Sequence, residues 1–434
     1  MAEDIKDKLR ALLANKGVMT GSDWQARMDE VRAKRESGAF EVDKIIVPGE
    51  LVGEAGAGFY RVRREYPLDH EHGSITLGSV LETNSGHVAL SACDDELAEF
   101  DPRRAAFVDI ETAGLAGGTG VVAFLIGIGY FDEDGFRVEQ CFMRDYDDEE
   151  PMLEYLAPLL GRFESVVTYN GKSFDVPLLR TRFITNRQPF RLDGIPHFDL
   201  LHASRRFWKV RLKDCSLGNI ERSVLGLKRH GDVRSAEVPQ LWFDYLRTRD
   251  ARPIECVFTH HCYDILSLVG LTAWLSRCLE SPEGEGFEHL EDRYSLVRLH
   301  HRQKRFLDVV SHAKRLLESV EDEFVRRETY GLLSDAYKRL EDFERMRETC
   351  DRMLMEFPKD LQARLELAKL HEHRTRNLGE AKRICAETIA ILELRETVGR
   401  ELGFADIGVA DFRHRLARIE RKLSRNRLPG DEEE

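Results

Sequence analysis

Three apolar runs succeed one another at hairpin spacing in the middle of the chain, at residues 105–111, 121–131 and 136–142, the last two joined by Asp132-Glu-Asp-Gly135. Runs of this length bounded by glycines and acidic turns read as strands. A helix is expected next at 149–163, then a strand at 165–169 and a helix from about 174 to 184. Three antiparallel strands followed by alternating helix and strand restrict this stretch to an α/β layout with a mixed sheet.

The first run, Phe107-Val-Asp-Ile-Glu-Thr112, carries two acids. Side chains alternate along a strand, so Asp109 and Glu111 share one face while Val108 and Ile110 take the other. Like charges at that separation repel unless a cation lies between them. An all-oxygen pair is the ligand chemistry of a hard divalent ion such as Mg²⁺ or Mn²⁺. Taken alone, the pair fits equally a strand end leaving the sheet with two solvated acids.

A two-metal hydrolytic site needs more carboxylates than these. Asp175 lies in Tyr169-Asn-Gly-Lys-Ser-Phe-Asp-Val-Pro-Leu-Leu179, where a strand turns into a helix, a place where an aspartate also serves as a plain N-cap. Asp264 lies in His260-His-Cys-Tyr-Asp-Ile-Leu-Ser-Leu268, with His260 four residues earlier and so on the same helical face. That spacing suits a surface ion pair, or a general base beside a metal-bound water. Phosphate-loop chemistry is excluded at both glycine-rich places. Gly171-Lys-Ser173 has Val166 where a glycine is required, and the Gly114–Gly120 loop has no Gly-Lys-Ser/Thr, which leaves it a flexible connection beside Glu111.

Asp-Ile-Glu-Thr at the end of a first strand, Asn-Gly-Lys-Ser-Phe-Asp before a helix and a final helix with His and Asp together resemble the DEDD (DnaQ-like) 3′→5′ exonuclease superfamily on a ribonuclease-H-like fold. The likeness is nearest to the bacterial YprB-type subgroup, in which tetratricopeptide-like helices follow such a domain. The nuclease resemblance covers roughly residues 105–279. It implies that Asp109, Glu111, Asp175 and Asp264 bind two Mg²⁺ or Mn²⁺ ions, about 4 Å apart, and that His260 is the general base. One departure concerns the base: the superfamily places a Tyr four residues before the last Asp or a His five before it. Here a His stands four before, Thr259 stands five before, and His261 is a neighbour able to substitute.

Between Asp175 and Asp264 lie Arg205, Arg206, Lys209, Arg211 and Lys213, interleaved with Phe207 and Trp208, and then Lys228-Arg-His230. Basic residues among aromatics suit a single-stranded nucleic-acid path, the aromatics stacking on bases; the alternative is a solvated helix face with Phe207 and Trp208 in the core. A formal net charge of −13 argues against a protein that coats nucleic acid along its whole surface, not against a local groove.

Flanking segments complete the organisation. Residues 1–36 predict an amphipathic helix, with Ile5, Leu9, Leu12 and Leu13 ahead of Asn15-Lys-Gly17. Residues 40–97 read as a small β-rich or irregular segment with runs at 44–47, 58–62 and 87–90. From about Tyr294 the chain is helical and self-similar: the pairs Phe306/Val309, Phe343/Met346 and Leu378/Ala381 recur 37 and 35 residues apart, followed by Leu317, Leu354 and Ile389. A period in the mid-thirties resembles the tetratricopeptide repeat, with a plain helical bundle as the alternative. The expected domains are 1–100 (helix and β-rich segment), 101–285 (ribonuclease-H-like), 290–420 (helical repeats) and 421–434 (disordered acidic tail). Acids replace the basic region of a signal peptide, the apolar run 120–131 is too short to span a bilayer, and the eight cysteines are scattered. A cytoplasmic protein without membrane attachment is expected.

The expected function is a metal-dependent exonuclease on DNA or RNA, working 3′→5′, in DNA repair or nucleic-acid processing, its helical repeats docking a partner such as a helicase. The alternatives are a non-catalytic nucleic-acid-binding adaptor and an endonuclease on the same fold.

Overall fold

A computed structural model describes residues 40–54, 57–114, 120–229, 231–281, 287–397 and 407–425. The expected helix at 1–36 lies outside them. The chain forms two compact units: one comprises the described residues up to Arg205 with Asp214–Ser281, the other Arg206–Lys213 with the described residues beyond Ser281.

The first unit is built on strands β1 (Glu50–Glu54), β2 (Ala57–Tyr66), β3 (Glu71–His72), β4 (Ile75–Thr76), β5 (Ala105–Thr112), β6 (Ala123–Phe131), β7 (Phe136–Phe142), β8 (Ser165–Thr168) and β9 (His197–Asp199). Seven of them form one sheet in the order β1-β2-β7-β6-β5-β8-β9, and β3 and β4 pair separately. Strands β5, β6 and β7 are antiparallel neighbours, as their spacing predicts, and β8 and β9 continue the sheet in parallel beyond β5. The mixed sheet with its helices is the α/β layout expected of a ribonuclease-H-like domain.

In the segment 40–97, strands β1 and β2 extend the main sheet through β7. The runs at 44–47 and 87–90 are not strands, because helices Val42–Ile45 and Ser85–Ala92 occupy those places. Val42 and Ile46, four apart, are both buried, which is helical spacing. Asn84 caps the second helix by accepting from the Gly86 amide at 2.8 Å. A four-residue apolar run has no period by which helix and strand can be told apart.

On the Val108 face of the sheet, helix Glu149–Leu160 buries Met152, Leu153, Leu156 and Leu160 in one core with Val108, Ile128 and Val166. Trp242, from helix Val238–Thr248, stacks on Phe124 at 5.0 Å and donates its indole N–H to the Met143 carbonyl. Truncating such a buried aromatic to alanine costs about 3–5 kcal/mol. The Asp109 face is covered by the long helix Glu255–Glu280. It is long and apolar enough to cross a membrane, and 78% of that stretch is buried within the fold.

In the second unit the described residues after Ser281 are helical: Leu290–Arg302, Phe306–Ser319, Glu323–Arg339, Phe343–Glu356, Leu361–His373, Leu378–Thr397 and Val409–Arg425. Each of the three recurring apolar pairs opens a helix, and Val309, Met346 and Ala381 are buried. Asp322, Asp342 and Asp360 cap helices Glu323–Arg339, Phe343–Glu356 and Leu361–His373 by accepting from the amides of Val325, Arg345 and Ala363. The expected disordered tail begins too early, because Arg421–Arg425 complete the last helix. Lys422 reaches the buried Glu372 at 2.7 Å, alongside Arg415 and Arg418 at 2.6 Å.

Candidate metal centre

Helix Glu255–Glu280 comes close to the sheet because β6 carries Gly127 and Gly129 beneath it. A Cβ on Gly127 would collide with His261 Cε1 and Ile265 Cδ1, and one on Gly129 with Ile265 Cγ2. Gly127 lies in register between Asp109 on β5 and Gln140 on β7, so the His261 ring drops between those two residues. Its Nε2–H donates to the Asp109 carbonyl oxygen at 3.0 Å, and its Nδ1 accepts from Gln140 Nε2 at 3.0 Å. Gln140 also donates to the Phe258 carbonyl, which fixes the orientation of its amide. Burial pushes the His261 pKa down to about 4, and both ring nitrogens are satisfied with the ring neutral. This histidine positions Asp109 and has no nitrogen left to take a proton from water.

One residue earlier, His260 points into the carboxylate cluster. Its Nε2 is 3.3 Å from Asp264 Oδ2 and 3.9 Å from Glu111 Oε1. One donor atom from each of Glu111, His260 and Asp264 lies within 4.8 Å of the other two. Asp175 is the first residue of helix Asp175–Thr185, near enough to β5 that the backbone of Ile110, between its two acids, offsets part of the rise that burial gives the Asp175 pKa. The loop before it is held by the buried Asp199 at the end of β9. That carboxylate accepts from the amides of Asn170 at 2.8 Å, Lys172 at 3.0 Å and Leu201 at 3.0 Å. Asn170 adopts a left-handed φ of 68°, which asparagine tolerates better than most residues.

The structure thus gathers Asp109, Glu111, Asp175, His260 and Asp264, all five residues predicted for the centre. Its electrostatics are those of an incomplete charge set. Burial first, then repulsion from Asp264, Asp175 and Glu111, holds the Asp109 carboxyl well above the usual range. Burial with repulsion from Asp264 and Asp175 raises Glu111 to about 8, and burial with repulsion from Asp199 raises Asp175 to about 7. Among the described residues no lysine or arginine forms an ion pair with these three acids. Oxygen donors sharing a buried space without a counter-charge fit a hard divalent cation.

Asp264 differs. Arg229 Nη2 lies 2.6 Å from its Oδ1. The same guanidinium pairs with the buried Glu221 and, at 3.3 Å, with Asp232. Glu221 accepts from Ser267 Oγ at 2.5 Å, and Ser267 is 2.7 Å from His72 Nε2. Asp232 Oδ1 is 2.8 Å from His260 Nδ1, which leaves Nε2 directed at Glu111 and Asp264. Arg229, Asp232, Glu221 and Asp199 carry no motif. In sequence Arg229 is the middle of an apparent basic cluster, of which Lys228 is exposed and His230 lies outside the described residues.

The five basic residues proposed for a nucleic-acid path lie on helix Leu200–Leu212 and just beyond it. Arg205, Lys209 and Lys213 are exposed and Arg206 is half-buried, but Arg211 is tied at 2.8 Å to the buried Asp292. Phe207 and Trp208 are each 1% exposed, so they belong to the core and are closed to bases. Two exposed aromatics stand beside the acids instead: Phe174, 61% exposed, immediately before Asp175, and Tyr263, 39% exposed, immediately before Asp264. Their signal in the sequence was adjacency to the acids.

Residues 106–276 match the family model of the RNase_H superfamily. The chain is also 30% identical, over 372 residues, to the uncharacterized protein YprB of Bacillus subtilis (strain 168), an alignment covering 83% of this chain and 85% of that one.

Proposed function

The chain belongs to the same family as that Bacillus protein and carries an RNase_H superfamily domain, and we propose that it is a metal-dependent nuclease hydrolysing phosphodiester bonds of DNA or RNA. The observation that carries the reading is the gathering of Asp109, Glu111, Asp175 and Asp264, three of them without a cationic partner among the described residues, with His260 Nε2 facing Glu111 and Asp264. The finer assignment is a DEDD-type 3′→5′ exonuclease using two Mg²⁺ or Mn²⁺ ions held by those four carboxylates. Bound there, the ions supply positive charge to the phosphate oxygens and lower the pKa of water.

The residues of the chain do the rest. His260 Nε2 accepts the proton of the attacking water as its oxygen bonds to phosphorus and the P–O3′ bond breaks. Asp232, at His260 Nδ1, fixes the ring and its tautomer. His261 and Gln140 hold the backbone at Asp109. Phe174 offers unstacked bases a surface beside the acids. Arg205, Lys209 and Lys213 are the remaining candidates for phosphate contacts. The helical unit, with its period in the mid-thirties, serves as a tetratricopeptide-like docking platform for a protein partner such as a helicase, in cytoplasmic DNA repair or nucleic-acid processing.

End-labelled DNA and RNA incubated with Mg²⁺ or Mn²⁺ test the reading. Shortening of one of them, abolished in Asp109→Ala, is the expected result; binding without shortening identifies an adaptor instead.

A further inference from the structure

The last helix, Val409–Arg425, carries two stripes of the same spacing. Phe412, Leu416, Ile419 and Leu423 pack into the core of the helical unit. His414, Arg418, Arg421 and Arg425 repeat the same intervals two residues further on, which places them on the opposite side of the helix. Arg418 is joined by Arg415 and Lys422 on the single carboxylate of Glu372, so three cations meet one anion and the positive charge is in excess. Arg421 and Arg425 are exposed, and no acid among the described residues pairs with either. The helix has two acids of its own: Glu420 is tied to Lys382 at 2.9 Å, and Asp411, in the first turn, accepts from the Gly408 amide at 2.8 Å. On a chain of net charge −13 such a face does not follow from overall composition.

The chemistry of the face narrows what it can hold. Its exposed residues include no apolar side chain larger than alanine, because the large ones are turned into the core. A membrane surface requires an apolar face to insert, and a peptide interface requires a buried anchor. Phosphates in a row require only cations in a row. The stripe from His414 to Arg425 is roughly 16 Å long at the rise of an α-helix. We propose that the outer face of the last helix binds the phosphate backbone of a polynucleotide without regard to base sequence, so that the helical unit contributes nucleic-acid affinity apart from the carboxylate centre. The choice of a polynucleotide over an acidic peptide also rests on the nuclease reading above.

Fluorescence anisotropy of a labelled single-stranded oligonucleotide with the full-length protein in EDTA tests this. Arg421→Ala with Arg425→Ala removes two groups that hold no acid among the described residues, and circular dichroism checks the fold. This variant should bind at least about fivefold more weakly at low salt, and the slope of log affinity against log salt should fall by roughly 1.4, the value for two phosphate contacts on a single strand. Arg421→Lys with Arg425→Lys should keep wild-type affinity. Arg352→Ala with Lys359→Ala, which removes the same charge from another exposed part of the helical unit, should change affinity by less than about twofold. A wild type that binds no oligonucleotide overturns the proposal, as does unchanged affinity in the Arg421/Arg425 alanine variant or an equal loss in the Arg352/Lys359 variant. Unchanged oligonucleotide affinity together with lost binding of labelled polyglutamate assigns the face to an acidic peptide instead. The assay contains no metal, so intact substrate in the Mn²⁺ reaction, which defeats the nuclease reading, is a separate result.

Discussion

His261 Nε2 stands 3.0 Å from the backbone carbonyl oxygen of Asp109, and the ring fits there because Gly127 leaves room for it. The first catalytic strand and the long helix are thereby locked together at the residue on which the proposed chemistry depends. Gly127→Ala should destabilise the first unit by about 1–3 kcal/mol, the usual range for overpacking a close contact. The readout is a lower denaturant midpoint. Because the clash is shared between the imidazole and Ile265, adding His261→Ala should recover part of that loss, a coupling that a double-mutant cycle measures.

Asp109 is a liability without metal. Burial and the neighbouring acids disfavour its charged form, so Asp109→Asn should raise the stability of the metal-free protein by about 1 kcal/mol, or roughly 2–4 °C in a unit of this size. The same substitution should abolish the stabilisation that Mn²⁺ gives the wild type. Thermal unfolding with and without Mn²⁺ checks both halves. An Asp109→Asn protein less stable than wild type, yet still stabilised by Mn²⁺, would contradict the assignment.

Much of this was written in the sequence, for identifiable reasons. The strand bearing Asp109 and Glu111 and its two antiparallel neighbours were legible because long apolar runs separated by glycine and acidic turns have few other solutions. Asp175 and Asp264 were legible because short motifs mark them. Arg229 and Asp232 were not: whether a residue in a loop turns inward is decided by what it meets, here Glu221, Asp264 and His260, and no periodicity encodes that. Phe207 and Trp208 misled in the opposite sense, since an aromatic between basic residues looks the same whether the helix turns it to solvent or to the core. The self-similar pairs each stand at a helix start, and the last helix runs past its expected end because Lys422 finds Glu372.

In the proposed reaction Asp232 acts through His260, so its loss should separate chemistry from metal binding. Asp232→Asn should lower kcat by about tenfold or more, in keeping with the size of general-base effects, while KM and the Mn²⁺ isotherm change little. Asp232→Glu should recover part of the rate. An equal loss of Mn²⁺ affinity would assign Asp232 to the metal shell instead.

The helical unit carries its own pH signature. Burial opposes ionisation of Glu372, but hydrogen bonds from Arg418 and Lys422 outweigh it and hold the pKa down at about 2. A depressed carboxylate adds stability that is fully present above its unfolded value of about 4.5 and is lost as pH falls through that value towards 2. The helical unit should therefore lose stability between about pH 4.5 and 2. Glu372→Gln should flatten that dependence and cost about 1–3 kcal/mol at neutral pH, the range for hydrogen bonds to charged groups. Urea denaturation across pH, followed by circular dichroism, gives both numbers.

The most direct measurement is degradation of matched single-stranded DNA and RNA, each with a free or blocked 3′ end, by the metal-loaded protein beside Asp109→Ala. The four-carboxylate centre predicts stepwise shortening of at least one substrate from its free 3′ end, none from the blocked end, and none by the variant. Intact substrates under every condition, or equal shortening by Asp109→Ala, would contradict it.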